Sequence, residues 1–392
     1  MISVDEALAQ LISLVDVTGV ENVPLNQAHG RTLATDVVAH RDQPPFAASA
    51  MDGYAVRSGD MVIGAELTVI GEAAAGHRFD GVVGAGQAAR IFTGAPLPKG
   101  ANHVLIQENT EVTPSGIRIT DGPNTQAFIR PAGADFTQGF ALPAPRILGA
   151  NDIALLAAMN HATVPVRSKP TVAIIPTGDE LVQPGEHPSD DQIVASNSYG
   201  LAAMLDTAGA IPRLLPIARD RTESLHTAFE LAAGNDIIVT IGGASVGDHD
   251  LVAQAAKDHD FDQQFFKVAM RPGKPLMSGR MGSSAMVGLP GNPVSAMVCG
   301  AVFLVPMIQK ILGFPAALHP PLQRAPLAAD IPANGPRAHY MRAYYDGNTL
   351  RVADRQDSAL LTVLADANAL AVRTPHAPAK KQGEKIPFIL LP

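Results

Sequence analysis

The chain has 392 residues, enough for about two to three domains by length alone. Hydrophobic residues make up 46% and charged residues 17%, too apolar and too lightly charged for a disordered chain. A formal net charge of −8 excludes a global pull toward nucleic acid or anionic membrane, so any anionic ligand needs a local cationic site. The one cysteine, Cys299, excludes an intramolecular disulfide, a Cys-ligated zinc site and an iron–sulfur cluster, and suits a reducing compartment. With no Trp and 5% aromatic residues, a stacking platform for single-stranded nucleic acid is not expected.

In chain order, Ser3-Val-Asp-Glu6 reads as a capping box, followed by Val4, Leu8, Leu11 and Val15 at helical spacing. This start lacks the basic opening and apolar block of a secretory signal, and the expectation is a soluble, cytoplasmic protein. Residues from 46 to 145 read as β structure, with apolar runs such as Leu67–Ile70, Arg90–Phe92 and Val104–Ile106 between Gly- and Pro-rich turns. Pro114-Ser-Gly116 is the expected turn of a hairpin joining Thr110–Val112 to Ile117–Ile119. A helical pattern returns at Ile153, Leu156 and Met159. One reading makes that helix and the N-terminal one partners, with the β block inserted between them.

From residue 168 the rhythm changes to strand and helix in alternation. Strands are predicted at Val172–Ile175, Pro212–Pro216, Ile237–Ile241, Phe265–Val268 and Ala285–Val287, with helices over 197–207, 223–233, 251–257 and from Pro293. Ser196 is a candidate cap of the first of these helices. Apolar strands separated by helices imply right-handed βαβ units and a mainly parallel sheet. The apolar stretch Val294–Ile308, about fifteen residues with Pro306 inside it, is short for a membrane span and reads as a core helix with Cys299 an inert packing residue. Past a Pro-rich joint, Arg342–Tyr345, Asp346-Gly-Asn and Leu350–Val352 read as a hairpin, and Phe388–Leu391 as a last strand.

The chemistry concentrates where ligands bind in parallel sheets, outside the carboxyl ends of the strands. Five loops at that predicted edge carry carboxylates, glycines or cations: Thr177–Glu180, Asp220, Gly242–Asp250, Arg271–Lys274 and Pro290–Pro293. Gly242, Gly243 and Gly247 have the gap of a phosphate loop, but Asp248-His249 stands where Lys-Ser/Thr is required. The loop is either an oxyanion cradle or a plain tight turn. Ser245 lies in it without the elbow of a serine hydrolase. Glu180, Asp220 and Asp250 are candidate Mg2+ ligands, since that hard ion takes one or two carboxylates with phosphate oxygens. The alternative for each alone is a cap or a solvated loop residue.

Arg271 and Lys274 flank a Pro-Gly turn and form the natural anion site, one a planar fork and the other a point charge. Asn292 suits an N-cap and Pro293 the first helical position, so the N–H groups of Val294 and Ser295 either face an oxyanion or simply start a helix. None of the twelve histidines has HxH or HExxH spacing, which disfavours a zinc hydrolase, and His249 reads as a loop hydrogen-bonder. Asp258-His-Asp260 repeats the triplet of 248–250 at a predicted helix end, where solvation accounts for it.

Ser49-Ala-Met-Asp-Gly-Tyr-Ala-Val56, Thr93–Pro96, Thr177–Leu181, Gly242–Gly247, Arg271–Pro275 and Leu289-Pro-Gly-Asn-Pro-Val-Ser-Ala296 together resemble the MoeA family of molybdopterin molybdenumtransferases, which is related to the E domain of gephyrin. The match runs in order along nearly the whole chain. The resemblance implies an α/β plus β, elongated four-domain protomer that forms a homodimer: residues 1–45 with 131–167, an inserted β domain over 46–130, a three-layer, mainly parallel α/β domain over 168–317, and a small C-terminal β barrel over 318–392. It implies an active site between the α/β domain of one subunit and the C-terminal module of the other. The implied reaction is Mg2+-dependent insertion of molybdate into adenylylated molybdopterin, with release of AMP, and other molybdenum-cofactor assembly proteins are implied partners. Carried over by position, Asp52, Thr93, Glu180, Asp220 and Asp250 fall in catalytic motifs. Arg271, Lys274, Pro290 and Pro293 match the molybdate pocket, while Asp135, Arg342 and Ser358 match substrate-contacting segments. Arg271 stands where some members carry Lys. Two other readings remain open, a gephyrin-like binding scaffold and the preceding adenylyl transfer.

Overall fold

The structure is a computed structural model, and it describes residues 1–122, 126–243, 251–315 and 321–391. The chain divides into two compact units, one of Met1–Glu21, Gly30–Ala34 and Val166–Pro392, the other of Asn22–His29 and Thr35–Pro165. The first element, α1 (Val4–Ser13), carries the capping box read from the sequence. The Glu6 N–H donates to Ser3 Oγ at 3.2 Å, and the Ser3 N–H donates to the Glu6 carboxylate at 2.8 Å.

The second unit is built on six strands, β1 (Gly53–Val56), β2 (Glu66–Ala73), β3 (Gln87–Ile91), β4 (His103–Ile106), β5 (Thr110–Thr113) and β6 (Gly116–Ile119), in the order β4-β1-β3-β2-β6-β5. The expected hairpin is β5–β6, with Val112 opposite Ile117. Because strand side chains alternate, Tyr54 and Val56 join a core with Leu67 and Leu105, while Ala55 joins another with Ile91 and Val104. α2 (Ala150–Ala158) lies in this unit. α1 belongs to the first unit and buries Val4, Leu8 and Leu11 in its core.

The first unit contains the α/β block: β7 (Thr171–Pro176), α3 (Asn197–Thr207), β8 (Ile211–Leu214), α4 (Thr222–Ala232), β9 (Ile237–Ile241), α5 (Leu251–Lys257), β10 (Phe261–Lys267), β11 (Pro275–Met281), β12 (Ser284–Leu289), α6 (Pro293–Cys299) and α7 (Val305–Ile311). The strand order is β8-β7-β9-β12-β11-β10, parallel through β12 and then antiparallel at each of the last two pairings. Alternate residues of β7 face opposite layers. Val172 and Ile174 pack with α1, α3, α6 and α7, and Ala173 and Ile175 with α4 and α5. The three-layer expectation therefore holds, with β11 as an additional strand the sequence did not reveal.

α6, a π-helical turn over Gly300–Leu304 and α7 form one helical run, Pro293–Ile311. It is long and apolar enough to cross a membrane, longer than the predicted stretch, yet 78% of its most apolar window is buried inside the protein. Its hydrophobicity serves the core. Cys299 is fully buried there, and burial pushes its thiol pKa up, as expected of an inert packing residue.

The C-terminal module contains β13 (Gln323–Pro326), β14 (Ala338–Tyr345), β15 (Leu350–Val352), α8 (Leu361–Ala365), β16 (Ala369–Arg373) and β17 (Lys385–Leu390). The β14–β15 hairpin places Tyr345 opposite Leu350, and β17 is the expected last strand. Met270–Arg271 pairs parallel with the start of β14, and Tyr340, Leu370 and Ile389 join the α/β core. The chain's own module thus packs on its α/β block.

Candidate active site

The parallel strands end together, and backbone hydrogen bonds lace the loops that follow them. The Thr177 N–H donates to the Ile241 carbonyl at 2.9 Å, that of Gly178 to Ala218 at 3.0 Å, and that of Gly242 to Leu289 at 3.0 Å. The result is a cleft of about 610 Å³ at the carboxyl edge of the sheet. Of the predicted residues, Glu180, Gly242, Gly243, Pro290, Asn292 and Pro293 line it. Convergence of separate loops on one edge follows from parallel strands of matched length.

Gly242 and Gly243 have φ of +95° and +66°. A Cβ on Gly242 would lie 2.7 Å from the Thr177 carbonyl oxygen, and one on Gly243 2.2 Å from Val252 Cγ2. Both the conformation and the crowding therefore demand glycine. The Gly242 N–H is spent on Leu289, leaving that of Gly243 without a partner among the described residues. Ser245, Gly247, His249 and Asp250 lie outside the described residues.

Asn292 occupies the N-cap position of α6 and Pro293 its first turn, but the Asn292 side chain makes no capping hydrogen bond. The Val294 N–H, expected to face an oxyanion or start a helix, donates to the Ser358 carbonyl at 3.1 Å. Ser358 thus bears on the site through its backbone, and Ala359 beside it lines the cleft. Ser196 is likewise at the N-cap of α3 without capping it; its hydroxyl donates to Asn197 Oδ1 at 3.3 Å. Asn197 Nδ2 ties the rim by donating to the Gly291 carbonyl at 2.7 Å.

Glu180 is exposed, and its carboxylate folds over Gly178, where a Cβ would sit 2.3 Å from Oε2. Asp220 is exposed on the neighbouring loop, its N–H donating to Asp179 Oδ1 at 3.2 Å. Arg219, a residue missed by sequence reasoning, staples this corner. One guanidinium nitrogen reaches the carbonyls of Gly178, Asp179 and Leu181 at 3.3, 3.0 and 2.9 Å. Its signal was the Arg-Asp pair in the loop that follows β8. Neither the Glu180 nor the Asp220 carboxylate has a hydrogen bond or ion pair among the described residues. They are hard-oxygen donors of the kind Mg2+ takes, but Asp220 does not line the cleft and no group of three metal-ligating side chains converges among the described residues.

Lys274 and Arg271 lie on the loop that precedes the cleft residue Pro275, closed by the Val268 N–H donating to the Lys274 carbonyl at 3.0 Å. Both are exposed, and Arg271 stands opposite His339 across the strand pairing. Arg342, implied as a substrate contact, is fully buried. It donates to the carbonyls of Gln356, Arg355 and Asp357 at 3.3, 3.1 and 2.9 Å and so shapes the loop that ends at Ser358. Its Nε and the Nε2 of His339 are buried without partners among the described residues. Burial, then the charges of Arg271, Arg342, Arg337 and Arg373, push His339 down to about 4, so it is neutral near pH 7. No local pattern marks this cationic cluster, because its members lie in different segments.

Asp52, Thr93 and Asp135 lie in the other compact unit. The Thr93 N–H and hydroxyl both donate to Asp52 Oδ1, at 2.7 and 2.8 Å, and hold its carboxyl below the usual range. Asp135 is exposed, its N–H donating to the Gln43 carbonyl at 2.9 Å.

Residues 2–160 match the family model "MoeA N-terminal region (domain I and II)", 173–310 "Probable molybdopterin binding domain", and 324–391 "MoeA C-terminal region (domain IV)". The chain is 36% identical to a molybdopterin molybdenumtransferase of Nostoc sp. over 90% of its length and 84% of that protein. It is 35% identical to molybdopterin molybdenumtransferase 2 of Mycobacterium tuberculosis, over 89% of each. A crystal structure of a molybdopterin biosynthesis MoeA protein from Pyrococcus horikoshii superposes with a TM-score of 0.83 at 29% identity, covering both chains in full. Motif order, loop convergence and full-length likeness agree: the chain belongs to the MoeA family.

Proposed function

We propose that this protein is a molybdopterin molybdenumtransferase that inserts molybdate into adenylylated molybdopterin and releases AMP. The observation that carries this reading is one cleft lined by Glu180, Gly242, Gly243, Pro290, Asn292 and Pro293, reached at Pro275 by the Arg271–Lys274 loop. Both substrates are anions, and against a net charge of −8 they need such a local cationic edge.

Arg271 offers a two-pronged donor to molybdate and Lys274 a point charge, while Pro290 and Pro293 shape the wall beside them. Arg342 frames the loop that ends at Ser358 from within, and the neutral His339 adds no charge beside it. Gly242 and Gly243 admit a phosphate close to the backbone, with the Gly243 N–H as a donor. Ser245, Gly247 and Asp135 are assigned to substrate binding, and Asp52 and Thr93 to catalysis, on their motifs. Glu180, Asp220 and Asp250 would hold Mg2+, which when bound neutralises phosphate oxygens and the leaving AMP. The residues then act by positioning the two anions and meeting charge that develops as the bond to the adenylyl phosphorus breaks.

The family resemblance also supports a homodimer, a cytoplasmic location, cofactor-assembly partners, and four domains with the boundaries given above. Light scattering of the purified chain tests the dimer. The activity test is AMP release from adenylylated molybdopterin with molybdate and Mg2+. Lys274→Ala and Glu180→Gln are expected to slow it about 10²–10³-fold, as for removal of one charge-stabilising group. Chelation should abolish it, and added Mg2+ should restore it. Unchanged turnover in both variants would remove the residue assignment, and ATP consumption with unmodified molybdopterin would favour adenylyl transfer instead.

A further inference from the structure

The Asp258-His-Asp260 turn meets a second histidine in the fold. His226 on α4 brings its Nδ1 to 2.8 Å from His259 Nε2, with ring centroids 5.0 Å apart and planes at 43°. On the other side of the same ring, His226 Nε2 lies 3.5 Å from Asp258 Oδ2. Phe229 packs its edge against His259 at 5.6 Å. None of these residues lines the cleft described above.

We propose that His226 Nδ1 and His259 Nε2 form a binding site for a divalent late first-row transition ion such as Zn2+. Asp258 favours the proton on His226 Nε2, which leaves the Nδ1 lone pair directed at His259, the carboxylate–histidine–metal relay of many metal sites. Two Zn–N bonds of about 2.0–2.1 Å at a tetrahedral angle need nitrogens about 3.3 Å apart, so the ion would replace the hydrogen bond between the rings, which must separate by about 0.5 Å and turn until both lone pairs meet at the metal. The His226 side chain is 30% exposed and that of Asp258 67%, which gives the ion a path and the rings room. No group of three metal-ligating residues forms a cage among the described residues. The site therefore supplies two nitrogens, leaves its other positions to water, and holds an exchangeable ion that clamps α4 to the end of α5. Imidazole selects zinc-like ions over Mg2+, so this site does not compete for the ion assigned to Glu180 and Asp220.

The test uses chelator-stripped full-length protein titrated with Zn2+ by calorimetry and by thermal melting. Because the chain has twelve histidines, the readout is the difference between variants. The wild type should bind one equivalent more than His226→Ala or His259→Ala, and its Zn2+-induced rise in Tm should be lost in both. Asp258→Asn should bind about tenfold more weakly. Equal melting temperatures of the metal-free wild type and variants separate ligation from misfolding. Equal stoichiometry in the wild type and both alanine variants, or no Zn2+ bound by the wild type, would overturn the proposal.

Discussion

Arg342 is fully buried, and its guanidinium donates to three successive backbone carbonyls rather than to a carboxylate. Such an arrangement turns one side chain into the frame of a loop. Arg342→Met should therefore lower stability by about 3 kcal/mol in urea unfolding, because three carbonyls lose a charged donor. It should also weaken molybdate binding by releasing the Ser358 carbonyl from α6. Beside it, His339 titrates at about 4 in the folded chain against an ordinary value near 6.5. A histidine whose pKa falls on folding stays neutral in the fold and takes up a proton on unfolding. Its contribution to stability is complete above about pH 6.5 and is lost progressively as the pH falls toward 4. The Tm of His339→Gln should thus fall less steeply than that of the wild type over this window. Parallel profiles would contradict the assignment.

Among the elements, β1 shows why a motif needs each of its residues. Gly53 pairs with Ile106 of β4, and a Cβ there would stand 2.0 Å from the Leu105 carbonyl oxygen. Backbone cannot retreat from backbone inside a paired sheet, so Gly53→Ala should cost about 3 kcal/mol or more, measured by urea unfolding. Asp52 precedes it, so the glycine fixes the strand that presents the carboxylate to Thr93. Elements with strong local signals were legible from sequence: the capping box of α1, the apolar runs of β7 and β9, and the hairpin turns. β11 was not. Pro275, Ser278 and Gly279 dilute its strand propensity, and its place between β10 and β12 is decided by pairing. The partner of α1 was also hidden, since an apolar stripe states that a helix is buried without naming the surface that buries it.

For the whole molecule, the net charge of −8 sets the background on which the cationic loop acts. Molybdate should raise the Tm of the wild type, less so as salt screens Arg271 and Lys274, and Lys274→Ala should abolish the rise. A salt-independent rise that persists in Lys274→Ala would place the anion elsewhere. The α/β rhythm, the family motifs and the loops at the carboxyl edge are legible in the chain itself, because strand periodicity and glycine-rich turns are local properties. Tertiary structure alone decided that the C-terminal module packs on its own α/β block, that Arg342 frames the Ser358 loop from inside, and that His339 is kept neutral by burial and arginines from several segments. Burial and charge proximity are sums over residues distant in the chain, and no local pattern records them.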